Sequence, residues 1–139
     1  WIDRGEVPDL FLRRFTWHLR HPLDLAAMRE AAGYLEGTHD FTSFSSAKTP
    51  LENRVRTLYA VNIEETRRGG VPLLVFSVHG NGFLYNMVRI IVGTLVEVGL
   101  GRIAPEAIPD ILAARDRTRA GMTAPPQGLI LWKVLYYNN

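Results

Sequence analysis

The sequence predicts an α+β fold: an antiparallel-rich sheet with helices packed on one face. Three observations carry this. Strand-like and helix-like runs follow one another as strand, helix, two strands, two helices, strand, with no repeating strand–helix alternation that would build a parallel sheet. Two runs of strand composition flank Arg67-Arg-Gly-Gly70, a turn signal that predicts a hairpin. One helix, within 82–99, is apolar nearly all round and needs cover on most of its surface.

The elements follow in order. Leu10 to Arg20 is rich in strand formers, which places a strand around 13–18. Asp24 is an N-cap candidate for a helix over 25–35, with apolar residues at Leu25, Met28, Ala31, Ala32 and Leu35 and a stop at Gly37. Thr38 to Ser46 is polar but carries Phe41 and Phe44, and reads as an ordered loop or short turn whose rings belong to the core more readily than to a ligand. Residues 47–53 read as a further loop. Arg54 to Ile63 and Val71 to His79 are the two strands of the hairpin. The apolar helix ends at Gly99-Leu-Gly101. Pro105 to Arg115 is a short helix with Pro105 near its first position and Pro109 tolerated in the first turns. Asp116 to Gln127 is a loop closing on Pro125-Pro126, and Leu129 to Tyr137, apolar on both faces, is a central or covered last strand.

A chain of 139 residues forms one domain that buries roughly two-thirds of its unfolded surface. With no cysteine, disulfides and thiolate metal sites are excluded. No apolar run reaches the roughly 18 residues of a membrane span, and no secretory signal pattern is present, so a cytoplasmic protein is the default expectation. The net charge is +2, carried by fourteen arginines and only two lysines, Lys48 and Lys133. Guanidinium forks suit phosphates and stacked bases better than ammonium groups do, although codon bias produces the same imbalance. The first residue is Trp1 rather than Met, and the chain reads as part of something longer.

Arg89 is the anomaly. From Phe83 to Val98 its neighbours are overwhelmingly apolar, and its i−4 and i+4 positions hold Tyr85 and Gly93. Glu97 lies two turns away, ~12 Å along the axis. A guanidinium in such a helix needs an anion, or must reach solvent at the flank of the helix.

Four motifs then occur in order: His39-Asp-Phe-Thr-Ser-Phe44; Phe83-Leu-Tyr-Asn-Met-Val-Arg89 with Ile91-Val-Gly93; Asp116-Arg117; and Thr123-Ala-Pro with Gly128-Leu129. Together they resemble the C-terminal half of the tRNA pseudouridine synthase A family, over residues 12–137. The resemblance implies a pseudouridine-synthase-like fold. It also implies isomerisation of uridine to pseudouridine in the anticodon stem-loop of tRNA, no cofactor, and a homodimer. The family's nucleophilic aspartate, in an Arg-Thr-Asp-x-Gly-Val-His motif, and its active-site tyrosine motif are absent here and belong upstream. By this resemblance Arg89 pairs with that aspartate, holding it ionised and oriented. Residues 1–139 are then one domain, a fragment inactive by itself, in which Gly128 and Leu129 line the base pocket, although Leu129 reads equally well as an ordinary core leucine.

Phosphate contacts need exposed cations more than fixed geometry, which nominates Lys48, Arg54 and Arg56 beside the 47–53 loop, and Arg117 and Arg119 in the later one. Each is equally well read as a solvated surface charge, and Arg115 to Arg119 as partners of a helix C-terminus. His18, His21, His39 and His79 show no metal-ligand spacing. Gly80-Asn-Gly82 lacks the third glycine of a dinucleotide fingerprint, and Ser43 and Ser77 lack a nucleophile elbow. The alternative in another class is a non-catalytic RNA-binding or dimerisation module of the same fold.

Overall fold

A computed structural model of the chain describes residues 1–46 and 53–131. Lys48 and the greater part of the expected last strand lie outside them. Among the described residues five strands form one sheet: β1 (Ile2–Asp3), β2 (Trp17–His18), β3 (Gly37–Asp40), β4 (Val55–Arg68) and β5 (Val71–Gly80), in spatial order β2-β1-β5-β4-β3. The β1–β2 pair is parallel and the other pairings are antiparallel. The α-helices among the described residues are α1 (Leu25–Leu35), α2 (Met87–Gly99) and α3 (Ile108–Ala114), and the architecture is α+β.

The hairpin forms where the glycines place it. Arg68 pairs with Val71, so Gly69 and Gly70 alone make the turn, at φ 57° and 81°. Two successive left-handed residues suit the twist of a two-residue hairpin, and only glycine adopts them freely. The ladder slips once, between Leu58 and Ala60, leaving Tyr59 bulged and exposed with its ring edge-on to His79, centroids 5.0 Å apart. The bulge resets the inward phase, so Leu58, Val61 and Ile63 all enter the core.

That core is shared with α1 and α2. Asp24 caps α1 by accepting from Ala27 N at 3.1 Å. Met28, Ala31, Ala32 and Leu35 are buried along one stripe. In α2, Met87, Ile90, Ile91, Leu95, Val96 and Val98 are all buried, and fully burying a side chain of this size contributes roughly 1.5–3 kcal/mol. The two helices meet closely at Gly99, where a Cβ would lie 2.4 Å from Met28 Sδ. Phe41 and Phe44 are fully buried in the same core, which makes them packing residues rather than a stacking surface.

Four expectations are corrected. The strand expected at 13–18 is only Trp17–His18, because Asp9 Oδ1 accepts from Phe11 N and Leu12 N and its carbonyl accepts from Arg13 N, which commits this backbone to a local turn. The segment read as loop from Thr38 begins as a strand, β3, pairing antiparallel with β4 before a 3₁₀ turn at Thr42–Phe44. The apolar helix starts at Met87 rather than near 82, because Asn86 takes a left-handed conformation (φ 61°) that no helix can pass through. Pro105–Ala107 is a 3₁₀ turn leading into α3 rather than part of it. No helix among the described residues is long and apolar enough to cross a membrane.

Candidate active site around Arg89

Three loops converge on the N-terminal turns of α2: residues 41–46, 81–86 and 120–125. Asn86 opens the helix. Its carbonyl accepts from Ile90 N at 2.9 Å, and its left-handed backbone, which asparagine tolerates better than most residues, turns the preceding loop away from the helix axis. Ser46 N donates to Tyr85 O at 3.2 Å, joining the first loop to the second.

The third loop is a strap laid along α2. Gly121 N donates to Thr94 Oγ1 at 2.9 Å, and that buried hydroxyl in turn donates to Ile90 O at 2.7 Å. Between these anchors the strap crosses Gly93, where a Cβ would stand 1.8 Å from Met122 O. No side chain fits there, so glycine is what lets the two backbones touch. Ala124 N donates to Arg89 O at 3.0 Å and closes the strap onto the helix.

Arg89 is held in this frame by neutral acceptors. Its Nε donates to Ala124 O at 2.8 Å, and Nη1 donates to Asn86 Oδ1 at 3.0 Å. The local partner therefore sits at i−3, a position that a search at i±4 passes over. Arg89 is half-buried rather than enclosed. Among the described residues the one ion pair is Arg115 with Asp40, so no described carboxylate balances Arg89. The frame fixes the direction of the guanidinium and leaves its charge available to an anion.

The other candidates divide. Arg54 is half-buried, with Nη1 donating to Ser45 Oγ at 2.6 Å, on the loop that Tyr85 holds. Arg56 lies against Gly82, with Nε 3.5 Å from where a Cβ there would be, and Nη1 donates to Asn53 O and Val55 O. Phe83 and Tyr85, on the same loop, expose their rings. Arg89, Arg54 and Arg56 are thus brought to one end of the hairpin and α2. Arg117 is half-buried and turned onto the strap, donating from Nη1 to Gly121 O at 2.8 Å and from Nη2 to Thr123 Oγ1 at 3.1 Å. Arg119 is exposed.

Gly128 sits in a 3₁₀ turn against β1 and β2, its carbonyl accepting from the Trp1 amino group at 2.9 Å. Leu129 is 50 % exposed, so it is not a core leucine, and Leu131 beside it is more exposed still. Asp40, at the far end of β3, accepts from the Thr42 hydroxyl and the Thr42 N–H and faces Arg115 at 3.6 Å. Burial works against its charge, but the Thr42 bonds and the charges of Arg115 and Arg54 outweigh that and hold its carboxyl below the usual range. His18 and His39 each bond a backbone carbonyl, of Gly5 and of Glu36, at 2.8 Å.

Asn86 and Ala124 fall inside the motifs quoted above without being given a role there, and Thr94 lies outside those motifs. The i−3 spacing of Asn86 from Arg89 was readable. The carbonyl of Ala124 was not, since no side chain announces it.

Comparison with known proteins shows the family of the chain. The family model described as tRNA pseudouridine synthase matches residues 31–137. A tRNA pseudouridine synthase A of Brevibacillus brevis is 55% identical over 135 residues, covering 97% of this chain and 54% of the relative. One from Moorella thermoacetica is 51% identical, covering 97% and 53%, and one from Bacillus subtilis is 50% identical, covering 95% and 51%. The chain spans about half the length of the curated relatives it matches. It belongs to the tRNA pseudouridine synthase family.

Proposed function

We propose that this chain supplies the Arg89-bearing half of an enzyme that isomerises uridine to pseudouridine in the anticodon stem-loop of tRNA. The observation that carries this is a half-buried guanidinium, fixed by Ala124 O and Asn86 Oδ1, with no described carboxylate to balance it. Exchange of a glycosidic C–N bond for a C–C bond needs an ionised nucleophilic carboxylate at the sugar or base. A desolvated carboxylate drifts towards its neutral form, and a guanidinium within about 4–6 Å keeps it charged. In this reading the carboxylate comes from sequence outside the 139 residues, matching the half of the relatives that the chain does not cover. Gly128 and Leu129 line the base pocket. Arg54, Arg56 and Arg119, with Lys48 outside the described residues, contact phosphates, and the target nucleotide leaves its stack to reach the site. No cofactor takes part, and the whole enzyme works as a cytoplasmic homodimer.

The test is tritium release from tRNA labelled at uridine C5, with these 139 residues and with the protein at the full length of its gene. Release from the longer protein alone supports the reading. Release from neither favours a non-catalytic RNA-binding module. Release from the 139 residues by themselves would make one of their own aspartates the nucleophile and overturn the role given to Arg89.

A further inference from the structure

We infer that Arg117 is a positioning residue for Arg89: it locks the 120–124 strap in the place from which the Ala124 carbonyl holds the Arg89 guanidinium. The inference rests on the catalytic reading of Arg89 given above. It assigns Arg117 a task other than the phosphate contact that its exposed neighbours suggest.

The apolar seating of the strap is at its two ends, where Ala120 packs against the core and Ala124 is buried; Met122, at its middle, is 41% exposed, and Gly121 has no side chain. What holds its middle is polar and reaches both the N–H and the carbonyl of Gly121. From below, Thr94 Oγ1 accepts from Gly121 N at 2.9 Å. From above, Arg117 forks across the strap to Gly121 O at 2.8 Å and to Thr123 Oγ1 at 3.1 Å. The residue after Thr123 is Ala124, whose carbonyl receives Arg89 Nε at 2.8 Å and whose N–H returns to Arg89 O at 3.0 Å. The two arginines are therefore linked through one short run of backbone. Asp116 sets the base of this device: its carboxylate accepts from Thr118 N at 2.9 Å and fixes the 3₁₀ turn Arg117–Arg119. The planar guanidinium reaches two acceptors at once, which a lysine ammonium on its flexible stem cannot do in the same geometry.

Loosening the strap lets the Ala124 carbonyl drift. Arg89 then keeps its charge but loses its direction, and an incoming carboxylate is paired less well in the transition state. RNA binding, which draws on Arg54, Arg56 and other cations that do not hold the strap, is unaffected.

The experiment compares Arg117→Lys with the unaltered protein at the full length of its gene, measuring tritium release from C5-labelled tRNA, tRNA affinity, and amide hydrogen exchange. The expected result is a kcat lowered about tenfold or more, the rate equivalent of a lost hydrogen bond or two. It comes with tRNA affinity within about twofold and faster exchange at Gly121 and Ala124 but not in the core of α2. Thr123→Val, which removes one of the two acceptors, is the milder second variant should Arg117→Lys fold poorly, with the same pattern at smaller amplitude. Weakened affinity with a shallower salt dependence and unchanged exchange would return Arg117 to the phosphate surface and overturn the inference. Faster exchange with unchanged kcat would also overturn it, leaving the strap a structural detail. Arg89→Ala run alongside separates the two claims: if it retains turnover, the reading of Arg89 fails, and if it abolishes turnover while Arg117→Lys does not, only the positioning role fails.

Discussion

Two arginines in the C-terminal part of this chain are treated in opposite ways. Arg115, at the end of α3, is exposed and faces a carboxylate of its own chain, Asp40, at 3.6 Å. Arg89, in the first turn of α2, is half-buried and, among the described residues, bonded only to a backbone carbonyl and an asparagine oxygen. The exposed pair is the ordinary surface case, worth about 0–1 kcal/mol. The half-buried arginine is the costly case: neutral acceptors take two of its five N–H groups while no described carboxylate matches its charge. Among the described residues Arg115 has a carboxylate partner and Arg89 has none, which leaves the charge of Arg89 for something else. The difference separates an arginine that ties down a surface from one prepared for a partner.

The comparison breaks most sharply at Arg89. In the protein at full gene length, Arg89→Ala is expected to lower the tRNA isomerisation rate about 100- to 1,000-fold, the rate equivalent of losing a desolvated charge pair worth about 3–4 kcal/mol. Arg115→Ala is expected to leave it within about twofold, as a rim ion pair allows. Single-turnover tritium release measures both.

Gly93→Ala comes next. Its new methyl would stand 1.8 Å from Met122 O, a backbone atom that cannot swing aside as a side chain can. The strap must lift, at about 1–3 kcal/mol of stability, and turnover falls with it. Urea unfolding and tritium release together check this; a variant of unchanged stability would show that the strap does not lie where it is described.

Changing Arg54 and Arg56 together is expected to weaken tRNA binding across sequences and to reduce the salt slope by about two, one for each lost phosphate contact. Binding titrations at several salt concentrations decide it, and an unchanged slope removes both from the phosphate surface.

The smallest effect is at Asp40. Its folded carboxyl lies below its ordinary range, so the stability it contributes is fully present above the unfolded pKa, about 3.9, and is lost as pH falls through the lower folded value. Asp40→Asn removes this contribution: stability falls slightly at neutral pH, is nearly unchanged at the acid extreme where Asp40 is already protonated, and so its acid limb below about pH 4 is flatter. Thermal melts between pH 3 and 7 check the sign.

Much of the scaffold was legible in the residues. Asp24 as a cap, the stripe from Met28 to Leu35, the Gly69-Gly70 turn and the near-complete burial of α2 all follow from local periodicity and turn chemistry. The segments that misled did so where a side chain competes for the backbone or a residue leaves ordinary φ space: Asp9 holding 10–13 in a turn, and Asn86 starting α2 later than the apolar run suggests. The site was half legible. Arg89 stood out by contrast with its neighbours, but the groups that hold it come from a backbone carbonyl 35 positions on and from an i−3 oxygen. The role of Arg117 was hidden for the same reason, since its acceptors are a glycine carbonyl and a threonine hydroxyl on an irregular loop.

The most direct test of the claim that Arg89 is oriented by neutral groups so that its charge remains available is the isomerisation rate of Asn86→Asp. Aspartate is among the few residues at ease in the left-handed conformation and keeps the acceptor that Arg89 already uses. It adds the charge that the natural residue withholds. The account predicts a protein that melts no lower than the original yet isomerises tRNA about tenfold or more slowly, because Arg89 is already paired when the nucleophilic carboxylate arrives. An unchanged rate would contradict it, and would mean that the reaction does not draw on the charge of Arg89.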